Sequence, residues 1–147
     1  MRIALYSRTA RREISKIRSM ISDLNIENTE EGRAHFRNIV MTPGSEFFNI
    51  FSYARTQVDF FAESSCRDLF FHVQEHNFDL LEIKTILNDL NLYFLGFQFG
   101  NKFMKEKFME IYQKENDIYS LDKWNSFEQM YPDTFISMYD MWLQARY

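Results

Sequence analysis

Hydrophobic spacing along the chain alternates between two periods, two and about three and a half, and the alternation predicts strands interleaved with helices. Arg2–Ser7 has period two, with Ile3 and Leu5 on one face and Ala4 and Tyr6 on the other, as a short strand requires. Ile14, Ile17, Ile21 and Leu24 then recur at steps of three and four, with Arg8, Arg11, Arg12, Lys16 and Arg18 largely on the remaining faces, which predicts an amphipathic helix. A strand that gives way to such a helix is the mark of an α/β arrangement. It also makes the chain open abruptly, in mid-pattern.

Further on, Asn28 with Glu31 is expected to cap a second helix carrying Ala34, Phe36, Ile39 and Val40, which Thr42-Pro43-Gly44-Ser45 ends. Phe47, Phe51, Ala54, Val58 and Phe61 predict a third helix reaching about Ala62, and Ser64-Ser65-Cys66 reads as a break. Periodicity does not decide the segment from Arg67 to Phe78. Asp79 with Glu82 forms a capping pair for a helix with Ile83, Ile86, Leu87 and Leu90 on one face, and Asn91 suits its left-handed end. Leu92–Phe99 is apolar at nearly every position, as a strand buried on both faces would be, and Gly96 within it suggests close approach of another backbone. Helices are expected over Lys102–Glu115, with Phe103, Met104, Phe108 and Ile111 inward, and over Leu121–Met130, with Trp124 and Phe127. The run Phe135–Leu143, beyond Pro132-Asp133, fits either a strand or a helix.

Composition narrows the class. With 147 residues the chain is long enough for one core, and sixteen Phe, eight Tyr and two Trp put much of its apolar area into rings. The formal charge of -4 gives no pull on phosphate, so nucleic acid is not an expected partner. No apolar run approaches the ~20 residues that span a bilayer. The single cysteine, Cys66, leaves no intramolecular disulfide and fits a reducing, cytoplasmic setting.

Chemistry is sparse. Gly32, Gly44, Gly96 and Gly100 are scattered, so no glycine-rich turn joins a strand to a helix where backbone N–H groups would cradle a phosphate or a nucleotide. The sharpest pattern is His72-Val73-Gln74-Glu75-His76, an H-x-x-E-H spacing shared with zinc hydrolases that hold the metal between two helical histidines. That chemistry needs a regular helix and a third ligand, and a new helix start directly follows His76, so no metal is expected. The remaining readings are locally bonded polar residues, or a pocket wall in which a histidine paired with Glu75 takes a proton near neutral pH. The pairs Phe47-Phe48, Phe60-Phe61 and Phe70-Phe71 are core packing first and a substrate wall second, and Arg8, Arg11 and Arg12 read as a solvated face before an anion site.

From Cys66-Arg67-Asp68-Leu69-Phe70-Phe71-His72-Val73-Gln74-Glu75-His76-Asn77-Phe78 onward the chain resembles the C-terminal region of bacterial class I S-adenosylmethionine-dependent methyltransferases, the type often fused to tetratricopeptide repeats. Leu92-Tyr93-Phe94-Leu95-Gly96-Phe97, the ending Trp124, Phe127-Glu128, Pro132-Asp133-Thr134-Phe135 and Met138-Tyr139 through Trp142, and the opening Arg2–Ser7 with Ala10-Arg11-Arg12 are similar to that family too. Residues 29–60 and 102–120 depart from it.

The resemblance implies an α/β fold, the C-terminal half of a Rossmann-like methyltransferase: a small three-stranded mixed sheet with several helices, forming a single partial domain over 1–147. Its parts would be a strand at 2–7, a helical lid over about 29–78, a helix–strand unit at 79–99, and a helical insert with the last strand at 100–147. The strands would be the family's fifth (2–7), sixth (92–99) and seventh (about 137–144), with the seventh central and antiparallel to both others. It further implies that the cofactor, S-adenosylmethionine, is held by the other half of the intact enzyme. None is expected to bind this chain alone, which would be inactive by itself. The expected partner is that missing half, or another chain, and His72, Glu75 and His76 would serve the methyl acceptor. The alternative is a non-catalytic binding module that pairs with another chain through an exposed sheet edge.

Overall fold

A computed structural model describes residues 1–72, 74–99 and 102–146. The described residues form three strands, seven α-helices and short 3-10 turns, divided between two compact units. One unit joins residues 1–11 to 76–147, and the other is the intervening Arg12–Glu75.

The first unit is built on the sheet. Strand β1 (Arg2–Tyr6), β2 (Leu92–Phe97) and β3 (Met138–Ala145) lie in the order β1-β3-β2, and β3 is antiparallel to both neighbours. The expected order and the central place of the last strand are therefore present. The expected mixed sheet is not, since every pairing between the three strands is antiparallel, and among the described residues the one parallel contact is an isolated bridge between Ser7 and Phe78. The C-terminal run is a strand because Tyr139, Met141 and Leu143 alternate into the core while Met138 and Trp142 face outward.

Strand β2 departs from its sequence reading. None of its apolar residues is fully buried: Leu92, Phe94 and Phe97 are partly buried against the core, while Tyr93 and Leu95, on the opposite face, are exposed. Gly96 answers a different need from close backbone approach. Phe94 pairs with Leu143 and Gly96 with Trp142, so Leu95 is a bulge. Gly96 sits at φ 127°, a conformation that side chains resist, while a Cβ there would meet no atom within 4 Å.

Helices α5 (Leu80–Asp89), α6 (Phe103–Ile111) and α7 (Leu121–Met130) belong to the same unit, and α5 and α7 each bury one stripe. Asp79 and Glu82 form the expected reciprocal capping box of α5, and Asn91 takes the expected left-handed conformation, with φ 54°. Leu90, expected on the apolar face, is exposed, and Leu80 takes its place in the core. In α6 only Phe108 is buried; Phe103 and Ile111 face out, and the helix stops four residues short of its expected end. The centre of this core is aromatic. Trp124 stacks on Phe108 at 3.7 Å, and its indole N–H, which would be costly to bury unpaired, donates to the Ile118 carbonyl at 2.9 Å.

The second unit is helical and is held by phenylalanine. In α1 (Arg12–Asp23) Ile14, Ile17 and Ile21 are buried as the spacing predicts, whereas Leu24 lies past the helix end and is exposed. The cap of α2 (Glu30–Met41) is Thr29, whose side chain accepts from the Gly32 N–H at 3.0 Å, in place of the expected Asn28. Asn28 instead accepts from Arg33 at 2.7 Å and donates to the Phe71 carbonyl at 3.4 Å.

The long third helix breaks up into α3 (Glu46–Ile50) and 3-10 turns at Ala54–Thr56 and Val58–Phe61. Its apolar residues do not share one helical face: Phe51, Ala54 and Phe60 are buried, but Val58 and Phe61 are 85% and 61% exposed. The Thr56 hydroxyl also donates to the Tyr53 carbonyl at 2.7 Å, which competes with a regular helical bond. Conversely, Ser64-Ser65-Cys66 is no break but lies within α4 (Glu63–Phe70), which buries Cys66, Leu69 and Phe70. Phe36 collects the rings of Phe51, Phe60, Phe70 and Phe71 around it at 5.3 to 6.0 Å.

One polar group is set deep in the sheet unit. The Glu128 carboxylate on α7 accepts from the Ser7 hydroxyl at 2.9 Å and from the Tyr139 hydroxyl at 2.8 Å, and all three residues are buried. Burial, and then the Glu128 charge, push the Tyr139 hydroxyl above the usual phenol range. Its protonated form therefore stabilises the fold below the unfolded value near 10.0, and that contribution is lost as pH rises beyond it. Tyr139→Phe should cost about 1–3 kcal/mol at neutral pH through the unsatisfied carboxylate oxygen. Urea unfolding of both proteins at neutral and alkaline pH should show the stability gap narrowing above pH 10.0; a gap independent of pH would contradict this role for Tyr139.

Candidate functional site

The three residues expected to form one wall each have a different setting. His72 follows α4 in the helical unit and is exposed. It lines a depression of about 320 Å³ with Asn28, Arg67, Asp68, Phe71 and Gln74. Its geometry follows from α4: Phe70 and Phe71 turn inward to the ring cluster, so the chain leaves the helix with Arg67, Asp68 and His72 on its outer side. Arg67 and Asp68 are themselves 3.1 Å apart, so the depression presents a self-compensated ion pair, one imidazole and two carboxamides around a mostly covered ring. Such a lining offers hydrogen bonds of both signs and no net charge.

Glu75 also belongs to the helical unit but its carboxylate is engaged. Arg18 of α1 donates to it at 2.9 Å and also to the Leu69 carbonyl at 2.9 Å. Both side chains of this pair are largely covered, so Glu75 anchors the chain after α4 to α1. Removing one partner would leave a buried charge, which is a structural duty whatever else the residue does.

His76 lies in the sheet unit, at the carboxyl end of β1. Phe78 docks there: its N–H donates to the Tyr6 carbonyl at 2.9 Å and its carbonyl accepts from the Arg8 N–H at 2.8 Å. The His76 ring packs on Phe78 at 4.5 Å, with Nε2 3.8 Å from the Glu82 carboxylate. Arg8 completes the cluster, donating to Glu82 at 2.8 Å, to the Asn77 carbonyl at 3.1 Å and to the Asp79 carboxylate. The sequence suggests a histidine paired with Glu75; the carboxylate beside His76 is instead Glu82, which also completes the capping box of α5. Arg8 is held by those carboxylates, and Arg11 is seated 4.5 Å over the Tyr6 ring.

Residues 74–77 lie outside any helix, so the H-x-x-E-H spacing does not place its residues on a helical turn; Val73 lies outside the described residues. Among the described residues no group of three metal-ligating side chains occurs. Cys66 is fully buried in α4, and burial pushes its thiol up to about 11, beyond what the neighbouring Arg37 offsets. A thiol so protonated is a packing group and not a nucleophile. No protein-family model matches the chain, and no curated protein matches it.

Iodoacetamide should therefore leave native Cys66 unmodified at pH 8 while alkylating it fully in urea, as read by intact mass. Equal rates in the two conditions would show that the thiol is accessible and its α4 setting wrong.

Proposed function

We propose that the chain is the C-terminal portion of an S-adenosylmethionine-dependent methyltransferase of Rossmann-like type, contributing the acceptor side and a sheet edge to an enzyme whose cofactor half lies elsewhere. The observation that supports this most is the strand order β1-β3-β2, with the last strand inserted centrally and antiparallel to both. That order places the chain's final segment between two strands separated by 85 residues, an uncommon closure that the sequence resemblance specifies in advance.

The placement of the described glycines supports a cofactor seat outside this chain. Gly32 lies inside α2, Gly44 in the turn before α3 and Gly96 in the bulge of β2, so none of them opens a turn from a strand into a helix. No step through the cofactor is assigned to this chain. What the chain contributes is the handling of the acceptor. Methyl transfer from a sulfonium is an in-line displacement, and an oxygen or nitrogen acceptor must lose a proton as it reacts. His72, exposed beside a depression of balanced polarity, and His76, exposed beside Glu82, are the groups suited to orient an acceptor or take that proton. Glu75 serves indirectly, by fixing the chain that follows His72 to α1.

The DNA upstream of the codon for Met1 tests the reading. A glycine-rich strand–turn–helix encoded there, in the same or a shifted frame, is the expected result. An unrelated neighbour with its own promoter would favour a free-standing accessory module. In the complete enzyme, His72→Ala and His76→Ala should lower turnover by about 10²-fold or more if either acts as a base, with little change in stability. Unchanged turnover in both variants would remove the histidines from the mechanism.

A further inference from the structure

We infer that the depression beside the end of α4 is a seat for a small zwitterion of the α-amino-acid class, its carboxylate on Arg67 and its ammonium on Asp68. The inference rests on the reading above for calling that ligand a methyl acceptor, whereas the seat itself follows from how the lining is built. Its frame has spent its hydrogen bonds. Arg18 of α1 donates to the Leu69 carbonyl and to the Glu75 carboxylate, each at 2.9 Å, and so brackets the segment between them. Asn28 accepts from Arg33 at 2.7 Å and donates to the Phe71 carbonyl at 3.4 Å, and Phe71 itself is buried. The chain behind the depression is thus fixed before a ligand arrives, which spares part of the ordering cost of binding.

The side chains that face solvent are the opposite case. Arg67 and Asp68 follow one another on the last turn of α4, with side chains 53% and 65% exposed, and they meet through Nε and Oδ1 at 3.1 Å. Among the described residues, the Nη1–Nη2 edge of Arg67 and the Oδ2 of Asp68 have no protein partner. A pair so exposed contributes little to stability, and each member is open to a second contact. His72 and Gln74, exposed on the same rim, add no fixed charge.

A ligand carrying both charges satisfies both groups. A lone anion on the Arg67 fork would lie against the Asp68 carboxylate, and a lone cation on Asp68 against the guanidinium. An α-amino acid holds carboxylate and ammonium on one carbon, about as close together as the Arg67–Asp68 pair, so the two dipoles lie head to tail with every charge compensated. The ammonium also meets the carboxyl end of α4, where the helix dipole favours positive charge. A volume of about 320 Å³ lies at the small end of ligand pockets and suits an amino acid better than a nucleotide. The ligand's own side chain is left to His72 and Gln74, each able to donate and to accept.

The probe is glycine, titrated to about 50 mM at neutral pH and constant ionic strength into the full ¹⁵N-labelled chain, a range suited to millimolar affinity. The Arg67 and Asp68 amides, the Arg67 Nε–H and the Gln74 carboxamide should shift saturably, with sodium acetate and methylammonium chloride binding about tenfold more weakly or less. Asp68→Asn should abolish glycine binding and strengthen that of acetate. Arg67→Gln should abolish it and strengthen that of methylammonium, in both variants with the circular dichroism unchanged. S-adenosylmethionine bears the same head group beside an uncompensated sulfonium charge and should bind no better than glycine; tighter binding would make the depression a cofactor seat and overturn the inference. No saturable shift with glycine, equal affinity for acetate or methylammonium, or glycine shifts that persist in both variants would overturn it as well. The glycine titration contains no cofactor and reads binding alone, so its failure strikes the ligand class and leaves the methyltransferase reading to the histidine variants.

Discussion

Everything in the sheet unit depends on β3 being hydrogen-bonded on both sides. Among the described residues, strands β1 and β2 do not pair with each other, and each finds its ladder in β3. The pairing spans nearly the whole chain, from Arg2↔Trp142 to Leu92↔Ala145. Such closure is entropically expensive and is secured only when the last residues arrive. The Glu128 carboxylate locks it from inside, since its two bonds tie the end of β1 through Ser7 to β3 through Tyr139 and both to α7. A buried carboxylate in that position specifies register as well as stability, because a shift of one residue in β3 would turn Tyr139 to the solvent face.

Elements with strong local instructions were legible in the sequence. The Asp79–Glu82 box, the left-handed Asn91, the bounds of α7 and the period-two face of β1 all follow from neighbours within a few residues. What the sequence misplaced depends on distant partners. Strand β2 reads as buried on both faces because its residues are apolar, yet whether Tyr93 and Leu95 are covered is decided by what lies beyond the strand and not by the strand itself. The 3-10 tract at 54–61 reads as helix because Phe and Val recur at helical steps, while burial of Phe51, Ala54 and Phe60 follows the ring cluster around Phe36.

The candidate site was legible in its residue types and not in its grouping. His72 and His76 are exposed and available, which sequence alone could not distinguish from satisfied core histidines. Glu75 is committed to Arg18, a contact across 57 residues, and Glu82 takes the place beside His76. A capping glutamate that also faces an imidazole is a signal present in the sequence, because Asp79 and Glu82 lie three and six residues beyond His76, but it becomes readable only once the segment before the cap is known not to be helical.

Calorimetry with S-adenosylmethionine tests the central claim most directly, comparing this chain alone with the same chain joined to the segment encoded upstream of it. The account predicts no specific heat of binding for the chain alone and saturable one-to-one binding for the joined protein. Saturable binding by the chain alone, or none by the joined protein, would contradict it.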